Sequence, residues 1–163
     1  MGKIYCDFEF NSHKGELMSI GLVNSLGVVL YNVFPRPKAP IDPWVQRNVV
    51  PYLDAATPSG IWPLHLGVEE FQKVLQAYLQ KEEGEIRIIT DWPDDVKYFS
   101  ELLITGPGTM VDIPGIVFEV QRVDPYVQDR ALQGAVQHHA LWDALQLRRC
   151  LTGFSNYEAF RTT

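Results

Sequence analysis

Asn24-Ser25-Leu26-Gly27 is a turn signal lodged between two apolar segments, residues 16–23 and 28–34, and it commits the start of the chain to a β-hairpin. Just upstream, residues 3–10 alternate Ile4, Cys6, Phe8 and Phe10 against Tyr5, Asp7 and Glu9, the period of a strand. Three strand-like segments in a row, joined by short connections, read as an antiparallel meander. Whatever follows must pack against that sheet.

The next stretch, residues 35–43, is rich in proline and reads as an extended loop. Asp42-Pro43-Trp44 then opens a short helix, with Asp42 as N-cap and Pro43 at its first position, ending near Val50. Residues 58–66 are irregular. Apolar residues at 68, 71, 74, 75, 78 and 79 predict an amphipathic helix over 68–80. Beyond Gly84 come a buried strand at 86–90, a helix at 94–103, a strand at 116–120 and a closing helix at 139–151, stopped by Gly153. Residues 127–131 carry no clear pattern. Three meander strands followed by alternating helices and strands predict an α/β fold, a mixed five-stranded sheet with helices packed against it. Nothing in the pattern marks a linker or repeat, so residues 1–163 read as one domain.

A chain of 163 residues is long enough to bury a core without staples, and 46% hydrophobic with 21% charged residues is an ordinary globular composition. No apolar run reaches the length of a membrane span, and the N-terminus has no basic-then-apolar leader pattern, so no membrane partner is expected. Two distant cysteines, Cys6 and Cys150, do not make a disulfide framework or a zinc site, and a reducing cytoplasm is the expected location. The formal net charge of −6 argues against a protein that coats long duplexes, because such proteins draw their affinity from neutralising phosphates. It argues less against an enzyme that grips only a strand end, since bound cations would offset carboxylates clustered in a site.

Three clusters could carry chemistry. Asp7 and Glu9 lie two apart on the first strand, so their carboxylates project from one face amid residues expected to be buried. The bland alternative is a solvated strand face. Thr90-Asp91-Trp92-Pro93-Asp94-Asp95 sits where a strand ends and a helix begins, the place where ligands gather in α/β sheets. Helix capping by Asp91 or Asp94 would explain one of these acids, not three. His138 and Asp143 flank the start of the last helix. Five positions correspond to about 140° of helical rotation, so the two share a site only if His138 stands on the entering loop. Four carboxylates and a histidine suit two-metal phosphoryl transfer, with two divalent cations about 3.5–4 Å apart. Oxygen ligands favour magnesium or manganese, and histidine is the natural base near neutral pH.

Taken together, these motifs resemble the DEDDh 3′→5′ exonucleases of the ribonuclease H-like fold. Asp7 and Glu9 match the first motif, Asp95 with Tyr98-Phe99 the second, and His138 with Asp143 the H-x4-D of the third, in the context His138-His139-Ala140-Leu141-Trp142-Asp143-Ala144. Glu16-Leu17-Met18-Ser19-Ile20-Gly21-Leu22-Val23 and Trp44-Val45-Gln46-Arg47-Asn48-Val49-Val50-Pro51 are similar to segments of a small bacterial exoribonuclease branch of that family. The resemblance implies that Asp7 bridges two Mg²⁺ or Mn²⁺ ions, that Glu9 and Asp143 each complete a shell, and that Asp95 holds the second ion. Asp91 stands beside Asp95 as the alternative third carboxylate. The resemblance makes His138, rather than His139, the general base, and Phe8, Met18 and Ser19 the lining of the terminal nucleotide. The implied partner is the 3′ end of single-stranded RNA, with DNA as the alternative. A homodimer is left open.

Overall fold

In the computed structural model, residues 2–126 and 131–162 are described. The unpatterned segment 127–131 therefore lies almost wholly outside the described residues. Among those described, the strands are β1 (Gly2–Phe10), β2 (Leu17–Asn24), β3 (Val28–Val33), β4 (Ile86–Thr90), β5 (Ile104–Gly106), β6 (Thr109–Met110), β7 (Ile116–Val120) and β8 (Glu158–Ala159). The helices are α1 (Pro43–Asn48), α2 (Val68–Leu79), α3 (Pro93–Leu103) and α4 (Ala140–Thr152), with a 3-10 turn at Val50–Tyr52.

The main sheet is mixed, with strand order β7-β4-β1-β2-β3-β8. β1, β2 and β3 form the antiparallel meander, while β4 runs parallel to β1, β7 parallel to β4 and β8 parallel to β3. Six strands among the described residues correct the expected five. The addition, β8, is a two-residue strand on the β3 edge, too short to show a period. It is held in place by the Arg148 guanidinium, which donates to the Asn156 carbonyl (2.8 Å) and the Ser25 carbonyl (2.9 Å). The β5–β6 hairpin is likewise too short and exposed to announce itself.

Alternation along β1 sorts side chains between two apolar layers. Ile4, Cys6 and Phe8 enter the cluster that α2 and α3 complete with Phe71, Leu75 and Phe99. Tyr5 faces the other cluster, built on Leu141, Ala144 and Leu145 of α4. The sheet is thus covered on both sides. Turn chemistry follows the sequence: the Asn24 Oδ1 accepts from Leu26 N and Val28 N, and Gly27 supplies the positive φ of 92°. Asp42 caps α1 through Trp44 N and Val45 N, and α4 ends at Gly153 in the left-handed region.

One close approach fixes α4 over the site. Gly21 pairs in register with Asp7, and a Cβ on it would lie 2.4 Å from the Ala140 carbonyl and from Leu141 N. Only the missing side chain lets the first turn of α4 rest on β2 opposite Asp7. Both cysteines are free, and among the described residues no helix is long and apolar enough to cross a membrane.

Candidate active site

The carboxyl ends of the parallel strands β1, β4 and β7 lie side by side, and there the chain opens a cleft of about 560 Å³. β1 brings Asp7 and Glu9 to its wall, the latter next to an irregularity in the β1–β2 register between Glu9 and Phe10. Asp91 follows β4, and Asp95 sits in the first turn of α3. From the last helix come Asp143 and, just ahead of it, His138.

Local rules explain these placements, with informative exceptions. The N-cap of α3 is Trp92, without a side-chain cap, so neither Asp91 nor Asp94 does the capping that would have accounted for one acid. Pro93 starts the helix. Asp94 turns outward to accept from the Trp92 indole N–H (3.0 Å), while Asp95 turns inward and is 1% exposed. At α4 the cap is His139, whose Nδ1 accepts from Trp142 N. His139 is buried with its ring against Tyr31 and held near pKa 4 by that burial. His138 is the histidine that reaches the cleft. It stands on the entering loop at φ 63°, its ring edge-on to Trp44 and its backbone N–H donating to the Asp143 Oδ2 (3.1 Å).

The ligand atoms fall into two groups, each with all members within 4.8 Å of one another: Asp7, Asp91 and Asp95, and Glu9, His138 and Asp143. Asp7 and Glu9 thus serve different groups. Asp91 and Asp95, set against each other in the sequence, stand together with Asp7. Phe8 lines the same cleft, and its backbone donates a hydrogen bond to Asp95. Met18 and Ser19 do not line it. Met18 borders a separate pocket with Phe34, Pro35 and Ile41, and Ser19 is fully buried, paired in register with Glu9. Ser19 shares the face of its partner Glu9 but is covered completely, and Met18 packs against Val45 and Val49 of the segment around α1.

Electrostatics set this cleft apart. Burial raises the Asp7 carboxyl well above its ordinary range, and Asp95, Asp143 and Glu9 push it further. Glu9 is raised by burial and then by Asp143, and Asp95 by burial and then by Asp91. Asp143 is pushed up to about 7 by burial, with Asp91 adding to the rise, although hydrogen bonds from the Tyr126 hydroxyl and His138 N–H oppose it. His138 is lowered by burial and so is neutral near pH 7. The Asp7 Oδ2 and Asp95 Oδ2 are buried without a hydrogen-bond partner among the described residues. Orphaned oxygens in a repelling carboxylate cluster call for a cation, and among the described residues that line the cleft the only Lys or Arg is Arg122. Hard oxygen donors with one imidazole fit magnesium or manganese better than zinc.

Sequence reasoning passed over Arg122, Asp124 and Tyr126, which enter from the segment after β7. They lie on irregular backbone with no period or motif to expose them. Two further indoles flank the site: Trp44 and Trp92, both about half exposed, border an adjoining groove of about 440 Å³ that shares Glu9 and Phe10 with the cleft. Compared with known proteins, the chain matches no protein-family profile and no curated protein.

Proposed function

We propose that this protein is a divalent-cation-dependent 3′→5′ exonuclease of the DEDDh kind, with a ribonuclease H-like fold, that hydrolyses single-stranded RNA to nucleoside 5′-monophosphates. The observation that carries the reading is the pair of ligand groups facing one cleft, with unpartnered buried oxygens and raised carboxyls. In this reading Asp7, Asp91 and Asp95 hold one cation and Glu9 and Asp143 the other. Two such cations would lower the pKa of water and neutralise charge on the phosphate oxygens.

The chain's own residues do the rest. His138 stands at the cleft as a neutral imidazole, free to take the proton of the attacking water. Its backbone N–H and the Tyr126 hydroxyl together fix the orientation of Asp143. A cleft of 560 Å³ has the size of a small-ligand site, roughly 300–1,000 Å³, which suits a strand end and not a length of duplex. Trp44 and Trp92 offer aromatic faces to bases, a common means of holding single strands.

The test is a timed digest of 5′-labelled single-stranded RNA and matched DNA in manganese, magnesium or EDTA, with wild type and Asp7→Ala. The expected result is a metal-dependent ladder shortening from the 3′ end, faster on RNA and absent in the variant. Cleavage of DNA in preference to RNA would replace the substrate. No cleavage of either strand in any metal would overturn the enzyme reading in favour of a binding module.

A further inference from the structure

Arg122 is the one Lys or Arg among the described residues that line the acidic cleft, and its charge favours the ionised form of Asp91. It is exposed, lines the cleft beside Asp91 and Asp124, and among the described residues belongs to no ion pair. It is nevertheless held on two sides. Its Nη1 donates to the Asp91 carbonyl (2.8 Å), and its guanidinium carbon lies 4.7 Å from the centre of the Trp92 ring. The indole is itself tied by its N–H to Asp94 (3.0 Å). An arginine has five N–H donors in a planar fork, so one spent on a carbonyl leaves several for a phosphate. Being held in advance, it would lose little freedom on binding one.

From these contacts we infer that Arg122 is the docking point for the phosphate immediately 5′ to the one cleaved, and that Trp92 positions its guanidinium. The inference rests on the exonuclease reading and deepens it. The phosphate under attack belongs to the two carboxylate groups. Arg122 lines the same cleft, anchored to the Asp91 carbonyl and to Trp92 at the start of α3, and in this proposal the preceding link of the strand passes there. A dinucleotide has no such phosphate, whereas a trinucleotide has one. Arg122 therefore sets how much the enzyme gains from one more nucleotide.

The experiment compares kcat/KM on an unlabelled RNA trinucleotide and dinucleotide in manganese for wild type, Arg122→Ala, Arg122→Lys and Trp92→Ala. The ratio of trinucleotide to dinucleotide is expected to fall about tenfold in Arg122→Ala, the worth of one charge-assisted contact. It should recover in part in Arg122→Lys and fall by a smaller factor in Trp92→Ala. In an Asp7→Ala background, which keeps the strand intact, calorimetric binding of the trinucleotide should lose ~0.7 from its slope against log salt when Arg122 is removed. An equal loss on both oligonucleotides, or an unchanged ratio and slope, would overturn the inference, since an arginine that only pins its loop has no length dependence. Failure of the wild type to cut either oligonucleotide would count against the exonuclease reading instead. The salt slope would then decide the Arg122 site without any turnover.

Discussion

Replacing Asp143 with asparagine should stabilise the metal-free protein at high pH and destabilise it at low pH. The Asp143 carboxyl titrates near 7 in the folded chain, against roughly 3.9 for an unperturbed aspartate. The folded state therefore binds this proton more tightly than the unfolded state. Its stabilising contribution is complete below about pH 4, erodes as pH rises from there, and is gone above about 7. A gap of about three pH units amounts to roughly 4 kcal/mol in full. Asp143 is half-buried at the cleft wall, so water screens about half of that, leaving about 2 kcal/mol. Asparagine removes this buried charge but turns an N–H₂ toward one of the two donors that the carboxylate now accepts from, Tyr126 hydroxyl and His138 N, at a loss of about 1 kcal/mol. In EDTA at pH 8 the variant should thus be more stable by about 1 kcal/mol, and at pH 4.5 less stable by about the same. With roughly 2–4 °C per kcal/mol for a chain of this size, the melting temperature moves by ~3 °C in opposite directions. Manganese should raise the wild-type melting temperature at pH 8 and raise that of the variant by less, since the Asp7, Asp91 and Asp95 group stays intact. A variant less stable than wild type by equal amounts at both pH values would show that Asp143 is not held in a repelling field, and the argument for cations would lose its footing.

Two further outcomes test the scaffold and the base. His138→Gly should keep or slightly improve stability in a chemical melt, because glycine adopts φ 63° without strain and retains the N–H that holds Asp143, yet the turnover rate should fall by ~10²–10⁴. Full activity in that variant would remove His138 from the chemistry. Gly21→Ala should destabilise by about 3 kcal/mol or more and lower the rate as well, since a methyl 2.4 Å from the Ala140 backbone can be accommodated only by shifting α4. Denaturant curves matching the wild type would mean that α4 and β2 are less tightly apposed.

Much of the scaffold was legible because its long elements are strongly periodic. The meander, α2, β4, α3, β7 and α4 all fall within a residue or two of where alternation and capping put them. The short elements were not. β8 and the β5–β6 hairpin are defined by what they pair with, and two or three residues cannot carry a period. The site divides along the same line. Asp7, Glu9, Asp95, His138 and Asp143 sit on or beside regular elements, where spacing speaks for geometry, and all of them line the cleft. The choice between Asp91 and Asp95 could not be made from spacing because it was not a choice: the turn into α3 brings both to Asp7. Arg122 and Tyr126 stayed hidden because the loop after β7 folds to meet α3 and α4, a tertiary event with no local signature.

Several departures from local rule border one cleft, and their coincidence with its carboxylates is a physical argument in its own right. A helix start capped by histidine, another with no side-chain cap at all, a histidine at positive φ, an irregular register at Glu9 and two orphaned carboxylate oxygens all border the same cleft. Each costs the fold something, of the order of 1 kcal/mol or more. Elsewhere many local rules are kept: Asn24 and Gly27 build their turn, Asp42 caps α1, Gly153 ends α4, and the buried Arg148 fork lands on three acceptors, although α2 also starts without a side-chain cap and the Arg87 and Arg148 Nε atoms are buried without a partner among the described residues. What sets the ends of β1, β4 and β7 apart is that orphaned oxygens and strain there coincide with buried carboxylates that repel one another, a combination that does not serve stability. Among the described cleft-lining residues the surplus is negative charge met by Arg122 alone of Lys and Arg, and this is the charge that the proposed cations would relieve. The same deficit gives Arg122 its place in the proposal: with the carboxylates answered by cations, it would be the described cleft-lining arginine left to meet the next negative charge along a strand.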